Sequence, residues 1–173
     1  SCGSVNKNTI KLDSNESSSA VLQGFTIQNG RDGGGGGILI NSSASLKNLI
    51  IKDNRSSGKG GGIRVDGGSP VIESVAIYGN SAAGGGGIAI PGSGSNVTIT
   101  NSRITNNTGG SGSEKAGGIH VNSSTLTLMN CTVSNNTDEG LYHRVSSTIT
   151  VTNSIFWGNG ADEIKAREAG GTV

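Results

Sequence analysis

Three glycines followed by an isoleucine recur at Gly35–Ile38, Gly60–Ile63 and Gly85–Ile88, with a weaker copy at Ala116–Ile119. The four isoleucines are 25, 25 and 31 residues apart. A second signature alternates with the first, an aliphatic or aromatic residue three before an asparagine. It occurs at Ile51/Asn54, Ile77/Asn80, Ile104/Asn107, Val133/Asn136 and Phe156/Asn159. Two motifs alternating in phase mark one small unit copied several times. A unit of this length cannot bury an apolar face alone, so the copies must stack.

Within each copy the apolar residues alternate. Ile38/Ile40, Ile63/Val65, Ile88/Ile90 and Ile119/Val121 are i, i+2 pairs, and period two is the period of a strand. No stretch repeats at 3.6 residues. The 31 glycines would each penalise a helix by about 1 kcal/mol. Each copy therefore predicts about three short strands joined by tight corners. Such strands bury a face only by pairing in parallel with their counterparts above and below. The predicted class is all-β. The predicted fold is a single-stranded parallel β-helix, right-handed as parallel crossovers are by default, with about six to seven coils of ~25 residues. One domain is expected over residues 1–173: a partial coil or cap over 1–18 that includes Thr9–Leu12, repeats over 19–164, and a tail over 165–173.

The alignment assigns residues to columns. Ile38, Ile63, Ile88 and Ile119 form a core isoleucine ladder. Asn54, Asn80, Asn107, Asn136 and Asn159 form a structural asparagine ladder at one corner, with Gly30 at that position in the first coil. Asn48, Asn101, Asn130 and Asn153, with Ser74, share another corner. Asparagine suits such corners because it tolerates left-handed backbone, bonds neighbouring backbone, and stacks into amide ladders. The glycine runs serve a third corner. They do not read as a nucleotide loop, since no helix follows them and no Lys-Ser/Thr ends them.

The repeats GGGI and Ile/Phe-x-x-Asn resemble the GGA[ILV] and FxxN repeats of the polymorphic outer-membrane protein family. The strings LTLMNCTVSNN (126–136) and VTNSIFWGN (151–159) are similar to right-handed β-helix repeats of bacterial surface proteins of the choice-of-anchor type. The resemblance covers about residues 19–164. It implies the β-helix fold and an exported, bacterial, cell-surface location. The membrane barrel or C-terminal sorting domain of large family members has no counterpart here. No signal peptide is present, so a mature or trimmed form is expected.

Outward columns carry little chemistry. One reads Gln23, Lys47, Glu73, Thr100, Met129, Thr152 and another Asn29, Asp53, Gly79, Asn106, Asn135, Gly158, each with a single carboxylate. Asp66 aligns beside Asn41, Pro91 and Asn122. Glycoside hydrolysis needs paired carboxylates, so no catalytic residues and no cofactor are assigned. Asp138/Glu139 stand against Asp162/Glu163 and are read as a solvated corner rather than a calcium site. His120, following a core isoleucine, is expected to point outward. Two histidines without ligand spacing assign no metal. Thr98, Thr127 and Thr150 share an outward column flanked by Thr125/Thr148 and Thr100/Thr152, an array like those of ice-binding solenoids but confined to three coils. Eight Asn-x-Ser/Thr sequons, at Asn15, Asn41, Asn54, Asn96, Asn106, Asn122, Asn130 and Asn135, are mostly a consequence of composition.

The net charge of +1 without a basic cluster excludes a nucleic-acid partner, and no apolar run is long enough to insert in a membrane. Cys2 and Cys131 lie at least about 20 Å apart at ~4.8 Å per coil, beyond the roughly 7 Å a disulfide spans. Cys131 reads as a small core residue, and Cys2 as a candidate intermolecular disulfide. No amphipathic capping helix precedes the repeats, so end-to-end self-association into a homopolymer is expected, with the Asn and Ile columns continuing across each joint. The sequence thus points to a non-enzymatic, secreted structural solenoid forming a surface fibre. The alternative is a surface adhesin or carbohydrate-binding module with a glycan or cell-surface ligand.

Overall fold

The computed structural model describes residues 10–92, 94–110, 115–144 and 146–167. Among them there is no helix. Twenty-one short strands wind as a parallel β-solenoid of about six turns. Three sheets run along its axis, and each coil contributes one strand to each. Sheet 1 stacks Ile10–Leu12, Ile38–Asn41, Ile63–Gly67, Ile88–Ile90, Ala116–Val121, Glu139–Arg144 and Ile164–Arg167. Sheet 2 stacks Val21–Gln23, Ser45–Lys47, Val71–Glu73, Asn96–Thr100, Thr125–Met129 and Thr148–Thr152. Sheet 3 stacks Thr26–Gln28, Ile50–Lys52, Ala76–Tyr78, Arg103–Thr105, Thr132–Ser134 and Ile155–Trp157. A short pair, Arg31–Asp32 on Arg55–Ser56, continues along the corner between sheets 3 and 1 through bridges to Ser81 and Thr108.

All strand pairs are parallel and mostly in register, so like residues stack on like. The isoleucine ladder extends at both ends: Ile10, Ile38, Ile63, Ile88, Ile119, Leu141 and Ile164 succeed one another on sheet 1. Leu22, Leu46, Ile72, Ile99, Leu128 and Val151 do so on sheet 2. Ile27, Ile51, Ile77, Ile104, Val133 and Phe156 do so on sheet 3. These columns meet in one continuous core, which Cys131 joins as a buried free thiol. Its Sγ donates to the Ile99 and Met129 carbonyls, and burial pushes its pKa up. Cys2 lies outside the described residues.

The glycine triplet makes the corner leading into sheet 1. At Gly60 the backbone is left-handed (φ 75°), a conformation costly for residues with a Cβ. At Gly61 the next coil approaches through backbone alone, and at Gly62 through backbone and the Asn80 amide. A Cβ on Gly62 would stand 2.7 Å from the Gly87 carbonyl oxygen. The triplet donates instead to the coil above, Gly61 N–H to the Gly85 carbonyl at 3.2 Å.

One column departs from the alignment. Asn41 pairs with Gly67 rather than Asp66, because the register shifts after Ile40/Val65 and leaves Asp66 as an extra residue. Asp66 instead meets Arg64 at 2.7 Å.

Candidate functional site

The asparagine ladder is the most regular polar feature of the fold, and its five amides are buried. Asn80 shows the pattern. Its backbone N–H and its Nδ2 both donate to Asn107 Oδ1 at 3.0 Å, and Nδ2 also reaches the Ile51 carbonyl of the coil below at 2.9 Å. Its Oδ1 accepts from the backbone and side chain of Asn54. Asn107 repeats these bonds to Asn136, and Asn136 to Asn159. Each amide bridges three coils, which satisfies the corner's buried backbone groups.

The ladder has a direction, since every rung donates toward the C-terminal end. At the start Gly30 N–H donates to Asn54 Oδ1, and Gly30 has no side-chain oxygen to offer a rung below. At the finish Asn159 Nδ2 donates to Glu163 Oε2 within its own coil. Glu163 therefore caps the last rung, a role that period and spacing did not reveal.

Left-handed backbone does not belong to this ladder. It belongs to the residue before each rung, Asn29, Asp53, Gly79, Asn106, Asn135 and Gly158, and to the corner of Asn48, Ser74, Asn101, Asn130 and Asn153. The two asparagine corners thus use different properties of the same residue. One uses its buried amide and the other chiefly its tolerance of positive φ, with one exposed amide contact from Asn130 Nδ2 to Asn101 Oδ1 at 3.2 Å.

The outer faces carry isolated charges. Lys47 and Glu73 stand on consecutive coils at 3.1 Å. In the acidic corner each carboxylate has a partner: Lys115 meets Asp138 at 3.0 Å, and Lys165 bridges Glu139 at 3.2 Å and Asp162 at 3.0 Å. Hydrogen bonds to Asp138 for Lys115, and to Asp162 and Glu139 for Lys165, with the attraction of those carboxylates, hold the pKa values of both lysines up. Among the described residues no three His, Cys, Asp or Glu side chains converge as metal ligands. The threonine array forms on sheet 2 as three neighbouring rows, Thr98 on Thr127 on Thr150 with Thr125/Thr148 and Thr100/Thr152 in adjacent columns. Met129 separates Thr100 from Thr152.

His120 points outward, as expected, yet is not in solvent. It stands on the outer face of sheet 1, as period two dictates, but is 0% exposed, its ring stacked on Tyr142 at 5.6 Å between centroids. Glu139, on the same strand as Tyr142, is 2% exposed. Alternation reveals the face a residue occupies and not whether that face is covered.

Both ends are open. At the first coil Phe25 is 57% exposed and Val21 is also exposed. At the last coil Val151 and Ile164, at the ends of inward columns, are exposed, as are Ile155 and Trp157 in outward columns at 61% and 72%. Residues 36–172 match the family model described as the right handed beta helix region. No curated protein and no solved structure matches the chain.

Proposed function

The chain belongs to the right-handed β-helix family, and from that fold we propose that it is a non-enzymatic, extracellular structural solenoid that joins copies of itself end to end in a bacterial surface fibre. The observation that carries this reading is the pair of one-sided edges. Among the described residues the outermost parallel strands meet no further strand, and the inward columns are exposed there at Phe25, Val151 and Ile164. Because every coil copies the one before, the upper edge of one molecule complements the lower edge of another. Such a heterologous contact does not close and therefore propagates. The single carboxylate in each of the two outer columns Gln23 to Thr152 and Asn29 to Gly158 supports a non-catalytic role. Export to a bacterial surface rests on the resemblance of the repeats.

Electron microscopy of the purified chain tests the proposal. Unbranched fibres with an axial repeat of roughly 30–40 Å, the length of six to seven coils at ~4.8 Å each plus the ends, are expected. Their loss under reductant would assign Cys2 to an intermolecular disulfide. Discrete monomers at high concentration would overturn the fibre. A second reading, a surface adhesin or glycan-binding module, is favoured by Trp157, whose exposed ring shares an outward column with Thr105 and Ser134. Saturable glycan binding lost in Trp157→Ala would support it.

A further inference from the structure

Sheet 1 turns one column of side chains outward. Lys11, Leu39, Arg64, Ala89, His120 and Tyr142 follow one another there on successive coils. From Ala89 to Tyr142 the column is buried. From Lys11 to Arg64 it lines an open groove of about 320 Å³, with Asp32, Gly34 and Asp66. That volume is in the range of small-molecule sites.

Two local departures from the repeat build the groove. Asp66 is the extra residue where the register shifts between Ile40/Val65 and Asn41/Gly67. Such a bulge re-aims a side chain, and here the Asp66 carboxylate accepts from Arg64 Nε at 2.7 Å. The second departure is Gly34, on the preceding coil. A Cβ there would stand 2.7 Å from Arg64 Nη1. Glycine at 34 therefore leaves the guanidinium its place in the groove.

The lining selects a class of ligand. Its formal charges cancel, with Lys11 and Arg64 against Asp32 and Asp66. These groups are already engaged: Lys11 with Asp13 at 3.5 Å, Arg64 with Asp66, and Asp32 with the Gly33 N–H. An anion entering the groove meets two carboxylates, and a cation meets an ammonium and a guanidinium. Either must compete with an existing ion pair. A hydroxyl group need not. A guanidinium has five N–H donors and a carboxylate about four lone-pair positions, so the Arg64–Asp66 bond leaves both with capacity for hydroxyl partners. Leu39 is half-buried between Lys11 and Arg64 and offers an apolar surface to the C–H face of a ring.

We infer that this groove binds one neutral sugar unit of a glycan, with Arg64 donating to its hydroxyl oxygens, Asp66 accepting from its hydroxyl groups and Leu39 under the ring. This rests on the glycan-binding reading, and it adds a second site, remote from Trp157, and the class of sugar.

The test is an NMR titration of the ¹⁵N-labelled chain with glucose, galactose, mannose and N-acetylglucosamine, and separately with glucuronate and with glycine as a zwitterion. At least one neutral sugar should shift the Gly33 and Gly34 amides saturably. Gly34→Ala displaces only the flexible end of Arg64, and Asp66→Asn removes one carboxylate. Each should keep the parent melting temperature and weaken binding roughly tenfold or more, as the loss of a hydrogen bond to a charged group does. Saturation by glucuronate or glycine but by no neutral sugar would overturn the inference. So would sugar binding that survives both variants and is lost in Trp157→Ala, which leaves the glycan-binding reading standing. A chain that binds none of the sugars at either place would overturn both.

Discussion

Asparagine does two jobs in this chain, and substitution by glycine separates them. Asn101 is exposed with φ 52°. Glycine adopts that backbone freely while alanine is strained there, so Asn101→Gly should be close to neutral and Asn101→Ala should cost about 1–2 kcal/mol. Asn80 is fully buried and its amide serves three coils. Glycine there leaves the Asn54 N–H and the Ile51 carbonyl without their partner, at about 1–3 kcal/mol for each orphaned group, so Asn80→Gly should cost several times more than Asn101→Gly in urea melts. The positions of both columns were legible from the repeat alone. Which column is left-handed was not, because both corners select the same residue for different reasons. Cys131 offers a pH test at this scale. Burial raises its pKa in the fold, whereas the thiol of the unfolded chain ionises near its ordinary pKa. Below that pKa both states hold the proton. Above it the unfolded state gains by ionising, so stability should fall as pH rises past about 8.5. Comparing the alkaline slope of the parent with that of Cys131→Ala checks the sign.

At the scale of the corner, the triplet motif that dominates the sequence is three constraints in a row. Gly60 needs its backbone conformation, and Gly61 and Gly62 need the absence of a side chain. The obstacle at Gly61 is the backbone of Ser81 and Gly86, which cannot swing aside as a flexible side chain would. Gly61→Ala should therefore push two coils apart and cost about 1–3 kcal/mol or more. Gly94 is also left-handed, at φ 67°, but has open space where a Cβ would lie, so Gly94→Ala should cost only the conformational strain of about 1–2 kcal/mol. Thermal melts of the two variants check the difference. Sheet identity, strand order and inward columns could all be read from period two and the repeat length. The burial of His120 could not. Its column passes from Arg64 through Ala89 to His120 and Tyr142, with nothing in the spacing to show that this stretch of outer face is covered. The Glu163 cap was equally hidden, because it occurs once, at the end of the array, where a repeat has no further copy to align with.

At the scale of the whole molecule, each coil touches only its neighbours, so stability is distributed along one axis and declines toward the ends. Hydrogen exchange should be slowest around Ile63 and Ile88, which have coils on both sides, and fastest in Ile10–Leu12 and Ile164–Arg167, the two edges of sheet 1.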